Sequence, residues 1–242
     1  VNPRLTLATA QRVLAQIRHD HRTMALLVAV PSLLMTLLWW IYDGGRVFDQ
    51  IGAPLLGIFP LVIMFLITSV TTLRERTSGT LERLMSMPIG RADFVVGYAL
   101  ALGFAALIQT SLVATYAIVV LDLEVAGPEW MLVGISVLSA ILGVTMGLAS
   151  SSLARTEFQA VQFMPGLIFP QFLLCGLLVP RELMPPAAEF ISNFLPLSYA
   201  VDAVKEVAKL PDPTIGSEVA ILGVFIVGLL ALGVTTLRRR SA

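Results

Sequence analysis

Six apolar blocks, each long enough to cross a bilayer, limit what this chain can fold into. They run roughly Thr23–Tyr42, Ile51–Leu73, Phe94–Leu121, Trp130–Leu153, Phe158–Pro180 and Glu218–Leu237. About 20 helical residues cross a hydrocarbon core of roughly 30 Å. With 57% hydrophobic and 13% charged residues, the chain has too few charges for a soluble domain of ordinary composition. A soluble core would also break the blocks into amphipathic stripes. Lipid satisfies no free backbone groups, so each block is expected to be a helix. The expected fold is all-α and integral to the membrane: six transmembrane helices in one domain, 1–242.

Positive charge orients the spans. With the N-terminus inside, the inner segments hold Arg4, Arg12, Arg18, Arg22, Arg74, Arg76, Arg83, Arg91, Arg155 and Arg238–Arg240, and the outer ones only Arg46, Arg181, Lys205 and Lys209. Acids run the other way: Asp43, Asp49, Asp122, Glu124, Glu129 and the acids from Glu182 to Glu218 fall outside. Trp39, Trp40, Tyr42 and Trp130 fall at the predicted outer boundaries, where amphipathic rings prefer to sit. Six spans keep both termini on the inner side.

No block carries Asp, Glu, Lys, Arg or His in its central part, which argues against a proton- or ion-coupled carrier. His19 and His21 lie before the first span, and the single cysteine, Cys175, supports neither a disulfide nor a cysteine metal site. The sequence contains no HExxH, G-x-S-x-G or P-loop pattern. No catalytic residue, metal site or cofactor is therefore expected in this chain, and uphill transport would need energy from a partner.

Three segments are not spans. Residues 1–22 contain an amphipathic stretch, Leu5 to Arg18, with Leu7, Ala10, Val13, Leu14 and Ile17 on one face and Gln11, Arg12 and Arg18 away from it. It reads as an interfacial helix whose arginines meet lipid headgroups. The inner loop 74–91 reads as a short charged helix capped near Ser78 or Gly79 and ended by Pro88 and Gly90, with Leu81, Leu84 and Met85 as its apolar face; a solvated connector would look similar. In the outer loop, 181–215, Pro185–Pro186 opens one helix and Pro196 a second. Leu197, Ala200, Val201, Val204 and Ala208 share one face of the second, and Asp202, Lys205, Glu206 and Lys209 the other. That apolar face needs cover, from the outer leaflet or from a cavity between spans.

Ser139, Gly143, Gly147 and Ser151 recur every four residues in the fourth span, as do Gly97, Ala101 and Ala105 in the third. Such stripes let helices approach closely, within the chain or between subunits. The fifth span is punctuated by Pro165, Pro170 and Pro180 and carries Gln159, Gln162 and Gln171 beside Phe163, Phe169 and Phe172. Amides beside aromatic rings, with Gln109 in the third span, suit a large apolar substrate; helix packing explains any one of them equally well.

The run Glu75-Arg76-Thr77-Ser78-Gly79-Thr80-Leu81-Glu82-Arg83-Leu84, then Pro88, together with VPRELMPP and FLPLSYAVDAV before the last span, resembles the ABC-2 type transporter permeases, in particular small bacterial exporter permeases of the daunorubicin-resistance kind. The resemblance covers nearly the whole chain. It implies that the 79–88 helix is a coupling helix docking on a separate ATP-binding subunit, with Glu75 and Glu82 pairing with basic groups there and Gly79, Thr80, Leu81, Leu84, Met85 and Pro88 shaping the contact. It implies further an interfacial elbow at 1–22, re-entrant outer helices within 181–215, two ATPase subunits holding ATP and Mg2+, and a second permease, identical or homologous. The expected protein is a multi-pass permease of the bacterial cytoplasmic membrane that exports drugs or other hydrophobic compounds and contacts lipids but no nucleic acid. Export of a lipid, polyketide-lipid or glycan is an alternative within transport. A non-transporting sensor subunit is an alternative of another class.

Overall fold

The computed structural model describes residues 2–78, 90–154 and 156–236, with the side chains of 21–23 left aside. Among the described residues the chain is all helical: α1 Pro3–His19, α2 His21–Ile41, α3 Arg46–Thr77, α4 Arg91–Val119, α5 Glu129–Ser151, α6 Glu157–Leu174, α7 Pro186–Ser192, α8 Pro196–Lys209 and α9 Gly216–Thr236, with one 3-10 turn at Arg181–Leu183. Each apolar block contains one helix. The segment 79–89, which holds Gly79, Thr80, Leu81, Glu82, Leu84, Met85 and Pro88, lies outside the described residues.

Among the described residues, five helices are long and apolar enough to cross a membrane: α2 from Met24, α3, α4, α5 and α9. The fifth apolar block falls short. It is helical only to Leu174, because Gly176 takes φ +88°, a backbone that favours glycine. Three glutamines and two prolines dilute the apolar character of the remaining α6. α3 exceeds its predicted block at both ends. Its 32 residues span about 48 Å at 1.5 Å per residue, more than the membrane core, so its charged last turn projects from the apolar part.

α3 and α5 form the centre. From Leu142 to Ser151 every residue of α5 is buried. A Cβ built on Gly143 would lie 2.2 Å from the carbonyl oxygen of Leu61, and one on Gly147 2.8 Å from that of Phe65. Only glycine allows this approach. Ser139 Oγ donates to Gly57 O at 2.6 Å across the same seam. Phe48, Leu56, Leu61 and Phe65 of α3, Val113 of α4, Leu132 of α5 and Leu222 of α9 join one core with α8. α8 presents Leu197, Ala200, Val201, Ala203, Val204 and Val207 to that core and keeps Asp202, Lys205, Glu206 and Lys209 off it.

The first helix differs from the sequence expectation. Its buried face is Thr6, Thr9, Ala10, Val13 and Ile17, whereas Leu7 is 57% exposed. The stripe is turned toward α4, where a Cβ on Gly97 would lie 2.8 Å from Thr9 Cβ and 2.9 Å from Thr6 O. Two small-residue faces meet, which displaces leucine from the contact. Asp93 of α4 fixes the start of α1 by accepting from Asn2 N at 2.6 Å and Thr6 Oγ1 at 3.2 Å.

Candidate functional site

The last turn of α3 carries Arg74, Glu75 and Arg76 in succession. Helical residues are set about 100° apart around the axis, so three in a row fan over more than half of its circumference. Each meets a different part of the bundle. Arg74 forms a two-pronged bond to Glu157, the first residue of α6, through Nε at 2.8 Å and Nη2 at 3.1 Å. Glu75 Oε1 accepts from Arg12 Nη1 at 3.0 Å and Gln16 Nε2 at 3.3 Å, both on α1. Arg76 donates to the carbonyl oxygen of Ser151, the last residue of α5. Arg12 extends the network by donating to Tyr98 Oη of α4 at 3.0 Å, its guanidinium 5.9 Å from the ring centroid.

The two ion pairs differ in solvent access. The Glu75 side chain is 9% exposed and Arg12 30%, so both are substantially desolvated and need each other. Arg74 and Glu157 are 62% and 51% exposed, the regime in which a pair contributes little and salt screens it. This junction sits directly before the 79–89 segment. Arg12 was expected to face headgroups, and Glu75 to pair with another protein. Each instead spends its charge on the other, because Arg12 flanks the buried stripe of α1 within reach of the α3 terminus.

The opposite end, marked by Trp39 and Trp130, has its own polar tie. Arg181 donates to Ser192 Oγ at 3.0 Å and to Asn193 and Asp202, with its guanidinium 5.6 Å from the Tyr199 ring centroid. Lys205 donates to the carbonyl of Gly176. Burial pushes the Asp202 carboxyl above its ordinary range against the pull of Arg181, and pushes Lys205 below its own. The loop before α5 is fastened to α8 by Gly127 N to Val207 O at 2.9 Å and Ala126 N to Ala208 O at 3.1 Å.

The six candidate pathway residues occupy different settings. Gln109 is 1% exposed inside α4, and neither amide atom meets a protein partner among the described residues. Gln171 is buried; its Nε2 donates to Leu167 O and its Oε1 accepts from Leu197 N at 3.4 Å, occupying one unpaired donor at the start of α8. Phe163 and Phe172 are partly buried against the core. Gln162 and Phe169 are exposed. Ser139, Gly143 and Gly147 line the α3–α5 seam, and Ser151 is buried at its end, its hydroxyl bonded to Leu148 O.

Gln16, Tyr98 and Glu157 were not singled out from sequence, and Arg12 and Arg74 were read only as charges on the inner side. One signal was available: the small faces of α1 (Thr6, Thr9, Ala10) and α4 (Gly97, Ala101) match, and pairing them brings Arg12 to Tyr98.

The family model for ABC-2 type transporters matches residues 4–208. The chain is 23% identical over 206 residues to ABC transporter G family member 20 of Dictyostelium discoideum, covering 85% of this chain and 28% of that protein. It is 24% identical over 184 residues to the probable multidrug ABC transporter permease YbhS of Escherichia coli (76% and 49%) and 26% identical over 153 residues to YbhR of the same organism (63% and 42%). The chain thus spans half or less of the length of these relatives. A match over most of its length, on a multi-pass helical membrane protein with these apolar spans, shows that the chain belongs to the ABC-2 type transporter family.

Proposed function

We propose that this chain is the membrane-spanning permease subunit of an ATP-driven exporter in a bacterial cytoplasmic membrane. It would move hydrophobic or amphipathic compounds outward, working with two copies of a separate ATP-binding subunit and with a second permease, identical or homologous. α6 completes a set of six spans, shorter and more polar than the others. The arginine-rich end, with both termini, faces the cytoplasm. The segment 74–91 is the coupling loop, α1 the elbow, and α7 with α8 the re-entrant pair. ATP and Mg2+ belong to the partner.

The observation that carries this reading is the junction at the end of α3. Three consecutive charged side chains connect the end of α3, directly before residues 79–89, with α1, α5 and α6, and through Arg12 with α4. A push on the end of α3 is delivered to α1, α4 and α5, and to α6 through the more exposed Arg74–Glu157 pair, as a membrane subunit driven by a partner ATPase requires. The multidrug label of the Escherichia coli relatives supports an apolar cargo.

The test is co-expression with a candidate ABC ATPase, co-purification in mild detergent, and flux of a lipophilic dye in proteoliposomes. Glu82→Lys and Leu84→Arg should each detach the ATPase or uncouple hydrolysis from flux while the chain still inserts. Normal flux in both variants would remove the coupling assignment. Recovery of ATPase stimulation without flux would favour the sensor role.

A further inference from the structure

We propose that the junction is built from a permanent joint and a breakable latch: Arg12–Glu75–Tyr98 keeps α1 and α4 fixed to α3, while Arg74–Glu157 lets α6 part from them. The proposal rests on the transport reading for its purpose, but its geometry stands within this chain alone.

The joint is held by desolvation. Breaking the Glu75–Arg12 pair leaves a charge in a pocket closed by Tyr98 and the buried face of α1, so separation is strongly opposed. α5 stays with α3 for another reason: the backbone contact at Gly143 and Gly147 has no slack. Neither device holds α6. Its pair with Arg74 is more than half exposed on both sides, where water replaces the partner at little cost. The apolar contact directly beneath the pair is small: Leu73, Ala154 and Ala160, with Phe163 against them; further along, Ile168 joins the main core, so α6 is held there and released at its start. Along α6 only Ala160, Ile168 and Gln171 are buried, and Pro165 and Pro170 remove two intrahelical bonds. Movement of the end of α3 therefore carries α1, α4 and α5 with it as one body and opens the bundle at the start of α6.

Spin labels on exposed positions test this in the full chain reconstituted in lipid nanodiscs. Thr77→Cys with Phe158→Cys reports the latch, and Gln11→Cys with Thr77→Cys the joint; the native Cys175 is buried. Glu157→Gln, or high salt, should raise the ratio of long to short Thr77–Phe158 distances by about 1.4- to 5-fold, the Boltzmann equivalent of ~0.2–1 kcal/mol for an exposed pair. The Gln11–Thr77 distribution should stay unchanged. An unaltered Thr77–Phe158 distribution, or equal broadening of both, overturns the proposal. In the complex with a co-purified ATPase, Mg-ATP should lengthen the Thr77–Phe158 distance alone; lengthening of Gln11–Thr77 instead would refute the assignment of joint and latch. Failure to recover any ATPase would count against the transport reading, while the measurements on the chain alone still decide the latch.

Discussion

Gly143→Ala adds one methyl group where α3 and α5 touch backbone to backbone. The new Cβ would sit 2.2 Å from the Leu61 carbonyl oxygen and 2.9 Å from Leu61 C and Cα, against 3.4–4 Å for ordinary contact. No rotamer relieves the clash, since the opposing atoms are main chain. The helices must move apart locally by more than 1 Å. A gap of 0.5–1 Å forfeits about a quarter to a half of a dispersion contact, and overpacking of a close seam costs roughly 1–3 kcal/mol. The Ser139–Gly57 bond, one turn away at 2.6 Å, adds about 0.6 kcal/mol if it breaks, with 1.7 as an upper value for such bonds in a bilayer. Alanine's better helix propensity returns up to about 1 kcal/mol. The expected net loss is about 1–3 kcal/mol, read by reversible denaturant unfolding in mixed micelles. Gly134→Ala lies on the same helix with nothing within 4 Å, so it should be neutral or stabilising by up to about 1 kcal/mol. Equal stability of the two variants would show that α3 and α5 are not in backbone contact at Gly143.

Three further outcomes can be measured. Glu75→Ala strands Arg12 and should destabilise by an amount near the low end of roughly 3–5 kcal/mol, since Arg12 keeps 30% of its exposure; the double replacement Arg12→Met with Glu75→Leu should recover much of this in a double-mutant cycle. Gln109→Leu removes an amide with no protein partner among the described residues and should stabilise by about 1–3 kcal/mol; a concurrent loss of flux would assign Gln109 to the pathway. Burial raises the Asp202 pKa in the folded chain. The stability it contributes is therefore fully present below the unfolded value of about 3.9 and is lost as pH rises through the raised folded value. Unfolding midpoints measured from pH 4 upward should show that decline, and Asp202→Asn should flatten it.

The features legible in the sequence are those that lipid imposes locally. Block length and hydropathy located every long helix, and Pro196 with its apolar face located α8, because each depends on neighbours along the chain. α6 is the exception: its block is apolar enough to be noticed, but where the helix stops depends on Gly176 adopting a positive φ, which composition does not reveal. The junction at the end of α3 was hidden for a different reason. Arg12 and Glu75 are 63 residues apart, and Arg74 and Glu157 83 apart. In isolation each is an unremarkable charge at a membrane boundary, and the positive-inside rule accounts for the arginines completely. What separates a headgroup arginine from a structural one is the helix that packs beside it, and that was set here by the fit of Thr9 to Gly97. The fan of three charges follows from helix geometry alone, whereas the partner of Glu75 follows from the small residues that join α1 to α4. Enlarging Gly97 should therefore loosen the Arg12–Glu75 pair without touching either residue. In Gly97→Leu, faster amide exchange in α1 between Thr9 and Ile17 than in the parent chain would follow from that chain of contacts. Unchanged exchange would mean that the Thr9–Gly97 contact does not hold α1 in place.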